Sequence, residues 1–393
     1  MNRSYDVIVA GGGIHGVGVA QAAAAAGHSV LVLEQHSLAA GSSSRSSKLI
    51  HGGLRYLESG QLRLVRESLH ERALMLKLAP ELVQLQKFYI PIYEHSRRKA
   101  WQLRVGLGLY ALLAGLDATA HFGTVPRAQW PTLDGLELEG LRHVYWYHDA
   151  QTDDALLTAA VMRSAQALGA GLALPARCTG ATLTHDGVQV RYLHDGVERE
   201  CSARVLVNAA GPWADALARS ITPAVHVPPL ELVQGTHLLL DGPPQRGVYY
   251  VESPRDGRAI FVMPFHGQLM IGTTEVRFHG DPATVAPAPH ELHYLLGVLR
   301  HYFPRFRDPS ASQLRGEFAG LRVLPAGGGH AFHRSRETLL VPDRASRPRL
   351  LSIYGGKLTT WRAVAARALA RLAASLPARS PRARTDTLAL HPA

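Results

Sequence analysis

Residues 5–34 constrain the fold more than any other stretch of the chain. Tyr5–Ala10 is a β-branched, apolar run and reads as a buried strand. Gly11-x-Gly13-x-x-Gly16 follows at once and opens Ile14–Ala26, an Ala-rich segment of high helical propensity. Gly27 stops that helix, and Ser29–Glu34 is a second apolar strand that ends in an acid. Strand, glycine turn, helix and strand in that order make a βαβ unit. Its glycines allow a tight turn, close approach of backbone to a pyrophosphate, and packing of the helix on the sheet. The N–H groups of the first helical turn then face an anion. Glu34 stands where an acid accepts hydrogen bonds from ribose hydroxyls and repels a 2′-phosphate, which disfavours NADP. Gly11, Gly13, Ile14, His15, Gly16 and Glu34 are the expected dinucleotide-binding residues.

Later segments return to the same kind of element. A buried strand, Val205–Ala209, runs into Asn208-Ala209-Ala210-Gly211-Pro212-Trp213, and another, Arg349–Ile353, runs into Gly355-Gly356 and a helix ending near Leu376. A long flavin cofactor needs several returns of the chain to hold it, so these favour FAD over NAD. Taken alone, Ala-Ala-Gly-Pro is equally an ordinary loop after a buried strand. Between these elements the pattern predicts a helix over 60–86, an amphipathic helix over 154–168 and a helix over 290–302. It also predicts short strands over 171–207, with hairpin turns at Asp186-Gly187 and Asp195-Gly196, and strands over 225–272.

The expected fold is α/β: a Rossmann-like FAD-binding domain of the glutathione-reductase and D-amino-acid-oxidase type, with an inserted mixed α+β substrate (cap) domain. The first would take 1–85, 146–225 and 320–376, the second 86–145 and 226–319, and 377–393 would be a loose tail.

Length and composition agree with that outline. A chain of 393 residues suits two domains, and 46% hydrophobic with 19% charged residues suits a soluble globular protein. Two cysteines exclude a disulfide scaffold and a Cys-based metal cluster within one chain. His290-Glu291-Leu292-His293 lacks the zinc-protease spacing, so no metal site is expected. The net charge of +11 favours an anionic partner. Its basic residues are spread along the chain without a nucleic-acid motif, which speaks against nucleic acid. Lysine occurs only at 48, 77, 87, 99 and 357.

The longest uncharged apolar run, Val105–Leu116, falls short of the roughly 20 residues a membrane span needs. It fits the cap or core. Arg97, Arg98, Lys99, Trp101 and Arg104 beside it also suit an interfacial contact. No signal peptide is recognisable, because Asp6 and the glycines interrupt the apolar start. The expected location is the cytoplasm, with peripheral contact on the inner face of the membrane.

A polar run, Ser42–Lys48, leads straight into Leu49-Ile50-His51-Gly52-Gly53-Leu54-Arg55-Tyr56-Leu57. Here a titratable group, an anion clamp and a hydroxyl bracket one Gly-Gly turn. Residues 43–58 closely resemble the signature of FAD-dependent (respiratory) glycerol-3-phosphate dehydrogenases. Further matches follow in that family's order: Val207–Trp213, Gly235-Thr236-His237, Ile271–Glu275, Gly320-Leu321-Arg322 and Gly355–Thr360. The resemblance runs from about residue 4 to 376; outside 43–58 its motifs are shared with amine and hydroxy-acid oxidases.

The resemblance implies oxidation of sn-glycerol 3-phosphate to dihydroxyacetone phosphate, with hydride passing from C2 to flavin N5 and electrons going on to quinone or oxygen. It sets Ser43, Ser44, Ser47, Lys48, Ala210, Gly211, Gly356, Lys357, Leu358 and Thr359 along the FAD. It sets His51, Arg55, Tyr56, Arg322, Arg334 and Lys357 around the substrate. Those residue types suit the chemistry. Arginine's planar fork matches phosphate oxygens. Imidazole titrates near working pH, which makes His51 the candidate base. A helix start with Lys357 would stabilise negative charge on reduced flavin.

Three substitutions depart from the family pattern: Gln234 for Lys, Val323 for Pro and Ser335 for Asp. Losing a cation at 234 would weaken a phosphate clamp or signal another substrate. The family's usual C-terminal helical domain is not expected after the last helix, so its contacts would be missing or supplied by a partner or a second copy of the chain. The rival readings are an FAD enzyme for a 2-hydroxy acid or amino acid and, from another class, a basic nucleic-acid-binding flavoprotein.

Overall fold

The computed structural model describes residues 4–115, 117–308, 313–326 and 338–392. Its first strand, Ser4–Ala10, is buried on both faces over Val7–Ala10 and pairs in parallel with Val30–Leu33. Helix α1 (Ile14–Ala25) joins the two and is itself buried almost all round. A helix enclosed on every side must be small, which is why it reads Val-Gly-Val-Ala-Gln-Ala-Ala-Ala-Ala. A Cβ on Gly16 would lie 1.9 Å from the Gly11 carbonyl oxygen. One on Gly18 would lie 2.7 Å from the Trp361 ring.

Helices α2 (Leu62–Leu78), α3 (Ala100–Leu113), α4 (Asp154–Ala167), α5 (Ala214–Arg219), α6 (Pro289–Tyr302) and α7 (Trp361–Leu372) complete the α-helices of the described residues. Helices α4 and α7 pack on α1 through Leu157, Val161, Val364 and Ala368.

The first sheet has a parallel centre. Val197–Asn208 lies between Ser4–Ala10 and Leu350–Tyr354, and Gly171–Ala173 flanks Val30–Leu33. Strands from the start, middle and end of the chain thus lie side by side, as the repeated strand–glycine elements predict. Ala176–Leu183, Val188–His194 and the first half of Val197–Asn208 form an antiparallel meander. Its second turn holds Asp195 at φ +50° and Gly196 at φ +75°, as an Asp-Gly hairpin requires.

The second sheet carries α6 on one face and α2 with α3 on the other. Alternate residues of the strand Val83–Tyr93 show this: Tyr89 and Tyr93 join the α6 core, Phe88, Ile90 and Ile92 the other. The segment 83–86, expected to end a helix, instead begins this eleven-residue strand. The expected boundaries at 85/86, 145/146 and 319/320 fall inside the strands Val83–Tyr93, Leu141–Thr152 and Leu314–Pro325, all of the second sheet.

The C-terminal segment is a strap, not a loose tail. Arg382 and Ala383 donate their N–H groups to the Ala25 carbonyl, and Leu390 donates to Leu78. Those carbonyls end α1 and α2, where helical acceptors lack intrahelical donors. Arg379 pairs with Asp6 at 3.1 Å, and Leu390 is buried.

The Val105–Leu116 run divides between two environments. On α3, Leu103, Leu107, Tyr110 and Ala111 are buried, while Trp101, Val105 and Leu112 are 67%, 64% and 61% exposed. Among the described residues no helix is long and apolar enough to cross a membrane.

Candidate active site

A cavity of about 1320 Å³ lies between the two sheets, lined by Ala10 and Leu33 from one and His237 and Arg322 from the other. It is larger than the roughly 300–1,000 Å³ of ordinary small-ligand pockets, as an extended dinucleotide needs. At its floor, Gly11 takes φ +113°, where a side chain would also run into the Ala209 carbonyl. Ser43 Oγ accepts from the Ile14 N–H at 2.9 Å, which sets the serine loop across the start of α1. Glu34 accepts from the N–H groups of Gly12 (2.7 Å) and His36 (2.8 Å). A carboxylate has about four acceptor sites, so capacity remains for ribose hydroxyls.

Gly13, Ile14, His15, Glu34, Ser43, Ser47, Ala210, Gly211, Gly356, Lys357, Leu358 and Thr359 all line this cavity. His15 packs against Gly356, where a Cβ would come 2.1 Å from its Nε2. Burial, with the Arg367 charge, pushes His15 down to about 4, so its ring is neutral. His15 Nδ1 is buried and makes no hydrogen bond among the described residues. That atom, the glycine cradle and the free acceptor sites of Glu34 fit a polar cofactor such as FAD.

Three of the expected cofactor residues do not reach the cavity. Gly16 serves packing alone. Ser44 turns its hydroxyl toward the Gly41 carbonyl. Lys48 buries its ammonium against Asp154 (2.6 Å) and the Ser44 carbonyl (2.5 Å). The buried carboxylate at the start of α4 outcompetes the cavity for that charge.

A second chamber of about 120 Å³ adjoins the first. Ser47, Leu49, His51, Tyr56 and Arg322 line both; Arg55, Arg258, Tyr250, Thr273 and Glu275 line only the smaller one. Gly53 takes φ +79°, so the chain turns sharply after His51 and sends Arg55 and Tyr56 to the same chamber. Lys357 Nζ stands 3.7 Å from the centre of the Tyr56 ring, and the Arg55 guanidinium 5.4 Å from it. Thr359 Oγ1 accepts from the His51 N–H at 3.1 Å and donates to its carbonyl at 3.3 Å. Arg322 donates to Thr273 Oγ1 at 2.9 Å. Arg334 lies outside the described residues.

Sequence reasoning missed several groups here. His237 is buried, stacks on Phe318 at 4.8 Å and meets Ser47 Oγ through Nε2 at 3.0 Å. Burial, then the charges of Arg322 and Lys48, push it well below the usual histidine range. Its Gly-Thr-His context was visible but not its burial. Arg258, 3.5 Å from Glu275 Oε2, sits in no recognisable motif. Gln234 corrects an expectation: its amide bonds Glu291 (2.5 Å) and the Ala286 carbonyl and does not line the chamber. Its replacement of lysine therefore takes no cation from the chamber.

Residues 6–376 match the DAO family, FAD dependent oxidoreductase. Glycerol-3-phosphate dehydrogenase of Pseudomonas aeruginosa is 38% identical over 383 residues, 94% of this chain and 71% of that protein. D-erythritol 1-phosphate dehydrogenase of Brucella abortus is 34% identical, over 94% of this chain and 74% of that one. The crystal structure of glycerol-3-phosphate dehydrogenase from Bacillus halodurans complexed with FAD superposes with a TM-score of 0.73 at 26% identity. That superposition covers 99% of this chain and 68% of that one. The βαβ cradle, the cavity between the sheets and these likenesses agree: the chain belongs to the family of FAD dependent oxidoreductases and is an FAD enzyme.

Proposed function

We propose that the enzyme oxidises sn-glycerol 3-phosphate at C2, giving dihydroxyacetone phosphate. The observation that carries this reading is the small chamber, where three arginines, a histidine and three tyrosines meet beside the cofactor cavity. FAD supplies the acceptor of the C2 hydride. Arg55, Arg258 and Arg322 supply positive charge for a phosphate of about −1.5 to −2 at neutral pH. His51 takes the proton from the C2 hydroxyl as the hydride leaves, so the alcohol loses one proton and one hydride, two protons and two electrons in all. Thr359 holds the His51 backbone on both sides, which fixes where the imidazole begins. Lys357 adds a charge beside the Tyr56 ring, at the end of the cavity nearest the reaction.

Glu275 supports a second reading. A carboxylate among arginines repels phosphate but accepts from hydroxyls, so the chamber suits a longer polyol phosphate as well. The likeness to an erythritol phosphate dehydrogenase points the same way. Electrons then pass to a quinone, and the exposed side of α3, with Arg97, Lys99 and Arg104 near it, meets the membrane surface. Arg98 takes no part, because it turns inward to Glu58 and Glu252.

The test is anaerobic. Purified enzyme should lose its visible flavin band on adding sn-glycerol 3-phosphate. Bleaching by a tetritol phosphate alone would select the second reading, and bleaching by neither would defeat both.

A further inference from the structure

The His51-Gly52 segment is held from two sides. Thr359 bonds the backbone of His51, as described above. From the other side, the Gly52 N–H donates to Asp149 Oδ1 at 3.3 Å. Asp149 is wholly buried and belongs to the strand Leu141–Thr152. It lines neither cavity and reaches the site through Gly52. Its carboxylate receives Arg72 Nη1 at 2.7 Å and the Tyr110 hydroxyl at 2.7 and 2.9 Å. Arg72 also donates to the His148 carbonyl and to Thr119, so the guanidinium is fixed in turn. Burial beside a carboxylate holds Tyr110 protonated far above the ordinary phenol range, which keeps it a donor.

A buried charged network of this kind is costly to assemble and very sensitive to loss of one member. Its place is what matters here. Three elements distant in sequence, α2, α3 and the strand, converge on one backbone N–H of the loop that bears His51, Arg55 and Tyr56. The fit is steric as well: a Cβ on Gly52 would lie 2.4 Å from the Tyr110 oxygen and 2.5 Å from Leu69.

We propose that Asp149, with Tyr110 and Arg72, forms a positioning set that fixes the Gly52-Gly53 turn and so aims His51 and Arg55 at the substrate. This rests on the reading of the small chamber as the substrate site. Each hydrogen bond to the carboxylate sharpens the turn, and removal of one loosens it. A displacement of about 1 Å at reacting groups can cost on the order of 100-fold in rate.

The experiment uses the full-length, FAD-loaded enzyme and two variants. Tyr110→Phe removes only the hydroxyl and keeps the ring's packing on Tyr147. Asp149→Asn keeps the shape and removes the charge. Hydrogen–deuterium exchange in Tyr110→Phe should be about tenfold faster or more over residues 50–57, the loss expected of one hydrogen bond to a charged group. Exchange over residues 4–25 should stay unchanged. With sn-glycerol 3-phosphate, kcat for flavin reduction should fall about tenfold while flavin content holds. Unchanged exchange over 50–57 overturns the proposal, and so does faster exchange with unaltered kcat and KM. If Asp149→Asn does not fold, Tyr110→Phe alone decides. If wild type is not reduced by the substrate, the function reading fails, and the exchange result still decides whether the set holds the turn.

Discussion

Gly235 leaves Arg322 its place. A Cβ there would lie 2.4 Å from the guanidinium Nη2 and 2.5 Å from Thr273 Oγ1, which holds that guanidinium. Gly235→Ala is therefore expected to act like a change at Arg322 itself. Arg322→Lys should raise KM for the phosphate substrate about tenfold or more, since a point charge replaces a two-pronged donor. Bound FAD should be retained in both variants. Steady-state kinetics beside flavin absorbance checks this, and unaltered KM in both variants removes Arg322 from the clamp. Lys48 is the contrasting case. Its chemistry suited the cofactor, yet its charge is spent on Asp154 in the interior. Lys48→Met strands a buried carboxylate and should cost about 3–5 kcal/mol of stability, read from the urea midpoint of the FAD-loaded protein. A midpoint shift worth under about 1 kcal/mol would show that the pair matters little. No pattern near Lys48 could have revealed its partner, which lies more than a hundred positions away and meets it only through the fold.

Elements differ in how far their sequence declares them. The βαβ unit was legible because burial on both faces leaves an unbroken apolar strand, and a helix crowded on all sides leaves only small residues. The 83–93 strand was not, because its first residues continue the apolar spacing of α2 and only the pairing with Leu141–Thr152 decides against helix. The small chamber was legible through the resemblance of one loop. Its Arg258 and Glu275 come from connections of the second sheet: Glu275 closes a motif of the resemblance, whereas Arg258 carried no local signal.

The strap likewise has no internal pattern, since its ties run to the ends of α1 and α2. One tie predicts a pH effect. Burial pushes the Asp6 carboxyl up, but Ser29's N–H and Arg379 outweigh it and hold the group below its usual range. A depressed carboxyl stabilises the fold above the unfolded value of about 3.9, and that contribution is lost as pH falls through the folded value. Arg379→Ala should thus lower stability at pH 7, by under about 1 kcal/mol because Arg379 is half exposed. The deficit should vanish near pH 2, and a deficit that persists there contradicts the pairing. Helix α3 makes a different prediction. If its exposed apolar side meets lipid, Val105→Glu with Leu112→Glu should weaken binding to anionic vesicles more than tenfold, each lost side chain being worth about 1.5–3 kcal/mol when buried. Co-sedimentation at low salt reads this, and wild type that stays in the supernatant defeats the membrane contact.

At the scale of the whole molecule, the two sheets share one large internal space. The first contributes the glycine floor and Glu34, the second His237 and Arg322, and the serine loop crosses between them. Bound FAD would join both sheets at once, so its binding energy is also energy of holding them together. A ligand that binds only the folded form stabilises it by about 2.7 kcal/mol at a concentration 100 times its Kd. Stripping FAD should therefore lower the thermal midpoint by several degrees, and reloading should restore it. The loss should be felt on both sides of the cavity. Exchange protection should fall at Gly11–Gly16, and also in the strand Leu314–Pro325, which lies far from it in sequence. The His15 ring offers a local reading of the same event. Its buried Nδ1 lacks a hydrogen-bond partner among the described residues, and a cofactor beside it would change that atom's environment. Nitrogen NMR of His15 with and without FAD would report it independently of catalysis. Equal midpoints with and without FAD, together with an unmoved His15 signal, would mean that the cavity is not the cofactor's seat.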